Sequence, residues 1–332
     1  MKLLILRLSS IGDIVLTSPV LRCLKEQVAG AEVHFATKEA FADLVRYDPH
    51  LDRVHELGSD LGDLIKRLKA ERFDRVIDLH KNLRTARIKR ALRVPSSSFH
   101  KLNASKWLLV NLKVDKMPRR HIVDRYMDTV AHLGVRNDGL GLSLTVPPDR
   151  EVPIGSLPTS HQCGFVALAI GGAHATKRAP LHKLVDLARR IEGPLVLIGG
   201  PEDRPIGAAI GHAIGGRVFD TTGMYDLLGS ASLIARAKAV VTHDSGAMHM
   251  ACAFQRPVLS MWGNTVPAFG MGPYQPRSPS NCHVFEVDGL NCRPCSKIGF
   301  EQCPNGHFRC MELQDVERIA DVIGTISDRT AL

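Results

Sequence analysis

The sequence is poor in aromatic residues and lacks a segment that could span a bilayer. Phe, Trp and Tyr together make up 5% of its 332 residues, too few for the rows of stacking side chains that bind single-stranded nucleic acid. No run reaches the ~18 consecutive apolar residues that a membrane helix needs. The N-terminal apolar run carries no signal-peptide cleavage pattern. We therefore expect a cytoplasmic protein, with peripheral contact to a membrane left open.

Two common fingerprints of nucleotide-binding loops are also missing. Neither G-x-G-x-x-G nor G-x-x-x-x-G-K-[ST] occurs in the chain, which argues against a nucleotide-binding dehydrogenase and against a P-loop. Positive charge, in contrast, is abundant, with a formal net charge of +9. Such an excess favours an acidic partner, which from charge alone is nucleic acid, an anionic lipid surface or a phosphorylated substrate.

Short β-branched runs alternate with longer amphipathic stretches, the pattern of β-α-β units around a parallel sheet. Residues 146–162, VPPDREVPIGSLPTSHQ, interrupt this alternation with four prolines and read as a linker. We therefore predict an α/β protein with two Rossmann-like, doubly wound domains, residues 1–150 and 163–312, followed by a C-terminal helix within 313–332. Strand candidates are 2–8, 32–37, 53–57, 75–79, 165–171, 194–200, 218–222, 239–244 and 257–263.

The first predicted strand ends in the small-residue turn SSIGD, residues 9–13. Gly12 allows a ligand to approach the backbone closely, and Asp13 lies where a helix begins. A carboxylate there would repel a bound phosphate, so the turn does not indicate a phosphate site. Asp13 is either a helix-capping residue or an ionised general base.

In the second half, polar residues again follow predicted strands, where ligands of doubly wound sheets bind. Gly171, Lys177 and Arg178 suit a diphosphate, or form a turn with two solvated cations. Glu202 suits a ribose diol, or caps a helix. The stretch after strand 239–244 combines a turn, a helix N-terminus that binds anions and a histidine, although capping alone would explain its aspartate. Its residues are Asp244, Ser245, Gly246 and His249.

The stretch DLHKNLRTARIKRALR, residues 78–93, carries a cation at every third position from 81 to 93 and no acid after Asp78. On a helix these cations form a slowly winding stripe, and PRRH at 118–121 adds more. The stripe is either a solvated face or a contact surface for an acidic acceptor and an anionic membrane. The residues that we assign to acceptor contact are Lys81, Arg84, Arg87 and Arg120.

Four of the eight cysteines lie within nineteen residues, in the pattern C-x2-C-x7-C-x6-C. Four thiolates hold a structural zinc ion tetrahedrally in many proteins, but the two pairs are closer together here than in common zinc ribbons. A loop with reduced thiols is the alternative. The residues are Cys292, Cys295, Cys303 and Cys310.

The motifs SSIGD, TKRAP, GGPED and DSGAMH followed by RPVLSMWG occur in an order and spacing that resemble the family 9 glycosyltransferases, the heptosyltransferases of lipopolysaccharide core assembly. The likeness extends from about residue 2 to 275. It implies the GT-B architecture, in which two Rossmann-like domains face a central cleft and the C-terminal helix returns toward the first domain. Many members carry tryptophan before the proline of TKRAP, where this chain has Ala179.

The resemblance also implies roles for the residues singled out above. Asp13 matches the family's general base and Lys177 a lysine that contacts the donor diphosphate. Asp244, Ser245, Gly246 and His249 match the donor-binding motif, and Glu202 falls near an acidic residue beside the nucleoside. Ser10 and Gly12 would let the acceptor approach Asp13.

The implied reaction is inverting transfer of a heptose from ADP-heptose to an acidic, lipid-linked saccharide, without a catalytic cofactor, at the inner face of the inner membrane. Such transfer needs a base on the attacking face and charge stabilisation of the leaving diphosphate. A different nucleotide-sugar donor is one alternative. A basic nucleic-acid-binding protein is another, suggested by charge and the cysteines, although we expect no nucleic-acid partner.

Overall fold

The computed structural model describes the backbone of residues 1–330 and the side chains through residue 327. The chain forms two compact units. The first comprises Met1–Leu102 and Arg120–Pro147, and the second comprises Asn103–Arg119 and the chain from Pro148 onward. The division near residue 150 resembles the predicted boundary, but residues 103–119 interrupt the first unit and pack with the second.

The first unit contains a five-stranded parallel sheet with the strand order β3-β2-β1-β4-β5. Its strands are β1 (Lys2–Leu6), β2 (Glu32–Lys38), β3 (Arg53–Leu57), β4 (Arg75–Asp78) and β5 (Ser96–Ser98). Leu6 pairs with Ala36 of β2 and with Asp78 of β4. The carboxyl ends of β1, β4 and β5 are therefore neighbours at one edge of the sheet.

Helices connect the strands of the first unit, as right-handed β-α-β crossovers require. These helices are α1 (Ile11–Val15), α2 (Ser18–Gln27), α3 (Asp43–Arg46), α4 (Leu61–Ala70) and α5 (Leu83–Leu92), with α7 (Ile122–Met127) after the interruption. The single helix predicted after SSIGD is two helices, because Pro19 starts a new one at the second position of α2. Leu64 and Leu68 of α4 are fully buried against the sheet, because their four-residue spacing places both on one face of the helix.

The second unit contains a six-stranded parallel sheet with the order β11-β10-β9-β6-β7-β8. Its strands are β6 (Val166–Ala169), β7 (Leu195–Ile198), β8 (Val218–Asp220), β9 (Ala239–His243), β10 (Val258–Met261) and β11 (Cys282–Phe285). Both sheets have the order of a doubly wound nucleotide-binding fold. They confirm the predicted α/β fold class, including its two Rossmann-like halves.

Helices cover both sheets, and the last one joins the core of the second unit. Helices of the second unit are α6 (Asn103–Trp107), α8 (Thr159–Gln162), α9 (Leu181–Arg190), α10 (Arg204–Ile214), α11 (Leu227–Arg236), α12 (Gly246–Ala253), α13 (Arg309–Glu312) and α14 (Val316–Thr330). Val316, Ile319 and Ile323 of α14 are buried with Leu184 and Leu187 of α9. The apolar face of α14 thus packs within the second unit, and the expected return of this helix toward the first domain stays a prediction.

Two strands escaped the sequence analysis. β5 is a run of three serines without any β-branched or aromatic residue, and β11, CHVF, has only two such residues at its end, so neither forms the run that marks a strand. Both lie at the edge of a sheet, where a strand needs only one partner. Among residues 1–330, no helix combines the length and the apolar composition that crossing a bilayer requires.

Candidate functional site

Asp13 is fixed in the first unit by two side chains. Ser10 Oγ lies 3.0 Å from Asp13 Oδ2, and the guanidinium of Arg7 forms an ion pair at 2.6 Å with the same oxygen. The Asp13 side chain keeps 23% of its surface exposed. The Ser10 amide is a weak partner at 3.5 Å. Asp13 thus belongs to a capping box of α1, and its carboxylate is oriented by Arg7 while remaining accessible.

Arg7 was missed by the sequence analysis and organises this end of the sheet. It is 7% exposed and donates to the Ser9 carbonyl at 2.7 Å and to Tyr126 Oη at 2.9 Å. Burial opposes its charge, but Asp13, Tyr126 and Asp78 together outweigh burial and raise the pKa of Arg7 above its ordinary value. Burial also raises the pKa of Tyr126. The signal available in the sequence was a cation directly after a buried strand.

Asp78, at the end of β4, ties down part of the basic stretch. It is fully buried, accepts from the backbone amides of His80 and Lys81 at 3.1 and 2.7 Å, and pairs with Lys89 at 3.0 Å. Only residues 83–92 of the stretch are helical; Lys81 lies before α5 with a φ of +53°.

The remaining cations that we assigned to acceptor contact are exposed but not equivalent. Lys81, Arg84 and Arg87 are exposed, and Arg84 shares a pocket of about 170 Å³ with Lys38 and Ser59. Arg120, in contrast, forms a two-pronged ion pair with Asp128 at 2.9 and 3.0 Å. The structure therefore keeps Arg84 and Arg87 available, whereas Arg120 already has a partner.

In the second unit, the lysine and the aspartate of the predicted donor site meet. Lys177 Nζ lies 2.6 Å from Asp244 Oδ2, and Thr265 Oγ1 donates to the same oxygen at 2.7 Å. Lys177 follows β6, Asp244 follows β9 and Thr265 follows β10, which are neighbouring strands. Adjacent strand ends thus bring together residues that lie up to 88 positions apart in the chain, Lys177 and Thr265.

His243, which the sequence analysis did not select, holds the loop after β6. Its Nε2 accepts the Ala179 amide at 2.9 Å, so its Nδ1 carries the proton and faces the Gly171 carbonyl at 3.5 Å. Burial lowers the pKa of His243 to about 4. The imidazole is therefore neutral at pH 7 and fixes both ends of the segment from Gly171 to Ala179.

The acid that the structure buries after β7 is Asp203, the neighbour of the predicted Glu202. Asp203 is 1% exposed, accepts from the Gly200 amide at 2.9 Å and lies 3.3 Å from Arg178. A Cβ at Gly171 would come within 2.6 Å of its carboxylate, so this glycine is needed for close packing. Glu202 stays exposed, which leaves it free to meet a ligand.

The DSGAMH stretch folds as predicted, with α12 beginning at Gly246 and Ser245 as its N-cap residue. Ser245 Oγ lies 3.0 Å from Thr242 Oγ1, so the N-terminal amides of α12 are not capped by the Ser245 side chain. His249 lies one turn into the helix and is 3% exposed. An uncapped helix N-terminus favours an anion.

The four cysteines of the predicted metal site share one loop but do not form a metal cage. Burial raises the pKa of Cys295 and of Cys310 to about 11 each, with smaller contributions from the other thiols of the group. Cys295 Sγ donates to the Cys292 carbonyl at 3.0 Å. Among side chains through residue 327, the single triad with metal-ligating atoms all within 4.8 Å is His34, His55 and Glu71. The sulfur atoms are thus too dispersed for tetrahedral coordination as they stand.

That other triad is a hydrogen-bonded network in the sheet of the first unit. His34 Nδ1 and His55 Nε2 are 2.9 Å apart, and His34 Nε2 faces Glu32 at 2.9 Å. Lys2 pairs with Glu71 at 3.1 Å. Burial lowers the pKa of His55 to about 4. Because its carboxylates already have cationic partners, the network satisfies itself without an ion.

Two doubly wound sheets with polar residues at their strand ends are the parts of a GT-B glycosyltransferase, and the comparisons with known proteins assign the chain to that class. The family model for glycosyltransferase family 9 (heptosyltransferase) matches residues 61–299. Lipopolysaccharide heptosyltransferase 2 of Salmonella typhimurium is 27% identical over 296 residues, covering 81% of this chain and 84% of that protein. Lipopolysaccharide heptosyltransferase 1 of Pseudomonas aeruginosa is 24% identical over 330 residues, covering 90% and 86%.

Among solved structures, that of the E. coli ADP-heptose lipopolysaccharide heptosyltransferase II superimposes with a TM-score of 0.76 at 19% identity and covers all of both chains. The chain therefore belongs to glycosyltransferase family 9, the heptosyltransferases. It is an enzyme of the lipopolysaccharide-core heptosyltransferase group, as the motifs in its sequence predict.

Proposed function

We propose that the chain transfers a heptose from ADP-heptose to an inner-core lipopolysaccharide acceptor with inversion, and that Asp13 is the general base. The observation that carries this proposal is the geometry of Asp13. Its carboxylate is partly exposed and held at 2.6 Å by a buried guanidinium, which favours the ionised form that a base needs. The names of the relatives support the donor and acceptor classes.

The proposed step moves one proton and exchanges one bond. Asp13 takes the proton of the acceptor hydroxyl while that oxygen forms a bond to the anomeric carbon. The bond from that carbon to the β-phosphate oxygen breaks, and ADP leaves with the electron pair. Lys177 and the N-terminal amides of α12 stabilise the departing charge, so no catalytic cofactor is required. Lys177 exchanges Asp244 for the diphosphate when the donor binds.

The donor also engages Gly171, Glu202 and His249, and the acceptor approaches over Ser10 and Gly12. Lys81, Arg84 and Arg87 are the surface for the acidic, lipid-linked acceptor and for peripheral contact at the inner face of the inner membrane. Arg120 would need to leave Asp128 to take part. Membership of an enzyme family favours this proposal over a nucleic-acid-binding role.

The decisive experiment compares Asp13→Asn with wild type in release of ADP from ADP-heptose, using a deacylated inner-core acceptor. Loss of a general base lowers kcat by roughly 10²–10⁴-fold, while donor affinity measured by calorimetry stays the same. The matched control is Asp60→Asn, because Asp60 caps α4 through Gly62 and Asp63 and asparagine caps nearly as well. An Asp13→Asn enzyme as active as Asp60→Asn would reduce Asp13 to a cap.

A different nucleotide-sugar donor is the second candidate, because Ala179 stands where many family members carry tryptophan. Ala179 is 4% exposed and its side chain lies in the core of the second unit, directly after Lys177 and Arg178 of the proposed donor loop. The test is turnover with ADP-heptose against other ADP-linked and uridine-linked sugars at equal concentration. A higher kcat/KM with one of these sugars than with ADP-heptose would show that the donor sugar is not heptose. The reaction class would stay the same.

The structural zinc site remains a second proposal for the loop of Cys292, Cys295, Cys303 and Cys310. Its support is the C-x2-C-x7-C-x6-C spacing of four thiols on one loop, which is joined to the donor loop where Phe300 and Thr176 exchange hydrogen bonds at 2.8 and 3.1 Å. The measurement is metal content of protein purified without chelators. About one zinc per chain is expected, lost in Cys303→Ser and retained in Cys163→Ser, whose thiol is exposed outside the loop. Metal-free wild-type protein would contradict the proposal.

A further inference from the structure

Three neighbouring strands of the first sheet place unused polar side chains next to the Asp13 site. β1, β4 and β5 are adjacent, and their carboxyl ends lead to Asp13, His80 and Lys101 respectively. Asp78 pairs with Leu6 on one side and Ser98 on the other. His80 lies two residues and Lys101 three residues beyond its strand. Neither has a part in the proposed proton transfer.

His80 has an imidazole with an unmet hydrogen-bonding capacity. Its Nδ1 is buried and, within the described part of the chain, has no hydrogen-bond partner. Burial, then the cations Arg7 and Lys101, lower the pKa of His80 to about 4, so the ring is neutral at pH 7. Orphaned buried N–H groups are rarer in proteins than under-satisfied acceptors, so we assign the proton to Nε2. His80 therefore presents one N–H donor.

Lys101 is a partly buried ammonium without a counter-ion. Among side chains through residue 327, none makes an ion pair or hydrogen bond with Lys101 Nζ. Burial, then the charge of Arg7, lowers its pKa, while Asp78 and Asp13 act in the opposite sense. Both acids are already engaged, Asp13 by Arg7 and Asp78 by Lys89. Lys101 is thus a partly desolvated cation with no acidic side chain of its own, which leaves its ammonium available to an anionic ligand.

We propose that Lys101 and His80 form an anion subsite that receives an acidic group of the acceptor saccharide beside the hydroxyl that Asp13 deprotonates. This inference rests on the proposed function and adds residues for recognising the acceptor. The Lys101 ammonium pairs with a carboxylate or phosphate oxygen of the acceptor, and the His80 Nε2–H donates to a second oxygen. The exposed arginines of α5 attract the acceptor, whereas this subsite sets its register against Asp13.

The test measures acceptor binding by calorimetry and turnover by ADP release for Lys101→Met and Lys101→Arg. A charge-assisted contact predicts a roughly ten- to hundredfold rise in the acceptor KM and Kd for Lys101→Met. We expect largely preserved values for Lys101→Arg and an unchanged donor Kd for both. Lys69→Met, an exposed lysine on α4 of the same unit, is the matched control. Thermal melting verifies that each variant is folded.

Modified acceptors identify the source of the anion. Wild type and Lys101→Met are compared on the intact deacylated acceptor, on its carboxyl-reduced form and on its dephosphorylated form. The modification that removes the partner of Lys101 weakens acceptor binding by the wild-type enzyme. It leaves acceptor binding by Lys101→Met unchanged. If Lys101→Met stays as sensitive as wild type to both modifications, or binds the intact acceptor as tightly as wild type, the subsite is wrong. Acceptor binding without transfer in wild type would instead contradict the proposed function, and the Kd comparison would still decide the subsite.

Discussion

Arg7 decides, at the scale of single residues, how the Asp13 carboxylate points. Replacing Arg7 by methionine removes the 2.6 Å ion pair and the bond to Tyr126 Oη while keeping an unbranched buried side chain. Misplacing a reacting group by about 1 Å costs roughly 10²-fold, so we expect kcat to fall by that order with the donor Kd unchanged. The measurement is steady-state ADP release beside calorimetry with ADP.

The control for this prediction is Arg7→Lys, which retains a charge for Asp13 but cannot also reach Ser9 and Tyr126 in the geometry of a guanidinium. We expect it to lie between wild type and Arg7→Met in kcat. Equal kcat in all three proteins would show that Asp13 needs no help from residue 7.

Sequence reasoning found residues at strand ends but not the partners that hold them. Asp13, Lys177 and Asp244 could be selected because each follows a strand, and two of them meet at 2.6 Å. His243 ends a strand in the same way and was overlooked, because its position in β9 reads as an ordinary buried residue. Arg7, His80 and Lys101 acquire meaning only when neighbouring strands set them beside Asp13, which no local pattern encodes.

At the scale of elements, α5 presents three exposed arginines, Arg84, Arg87 and Arg90, at a spacing that keeps them adjacent on the helix. Each cation near an anionic membrane contributes about 1 kcal/mol. Changing all three to glutamine is therefore expected to weaken binding to vesicles containing anionic phospholipid by about a hundredfold at low salt. Co-sedimentation at two ionic strengths measures this effect, and high salt should abolish the difference.

Helix α4 and the second residue after it offer a matched control. Lys66, Lys69 and Arg72 are exposed with the same three-residue spacing, so the triple glutamine variant of this set removes equal charge from another face. Equal losses for both triples would mean that net charge, and not the α5 surface, binds the vesicles.

Elements were predictable where their apolar pattern decides the structure. The β-branched runs located the central strands of both sheets, and the four-residue spacing of the buried Leu64 and Leu68 in α4 is that of an amphipathic helix. The edge strands β5 and β11 could not be predicted from the sequence, because only their hydrogen bonds to one neighbouring strand define them. The final helix was located correctly. The core into which its apolar face packs depends on tertiary contacts, which no local sequence pattern shows.

At the scale of the whole molecule, three histidines make stability depend on pH. Burial lowers the pKa of His55, His80 and His243 to about 4, against about 6.5 in the unfolded chain. Between these values the unfolded chain binds up to three more protons than the folded one. The free energy of unfolding therefore rises with pH across this window, is fully present above pH 6.5 and is lost as pH falls toward 4.

Urea unfolding at intervals from pH 7.5 to 4.5 measures this dependence, because the carboxylates with lowered pKa values act mainly below that range. The slope belongs to both units, since His55 and His80 lie in the first and His243 in the second. His55→Gln should reduce the pH dependence of the free energy of unfolding of the first unit by up to one proton. The pH dependence of the second unit should stay unchanged. His212→Gln is the control, since this histidine lies on α10, away from the buried three. A stability that stays constant from pH 7 to 5 would show that these rings are protonated in the folded protein, contrary to their burial.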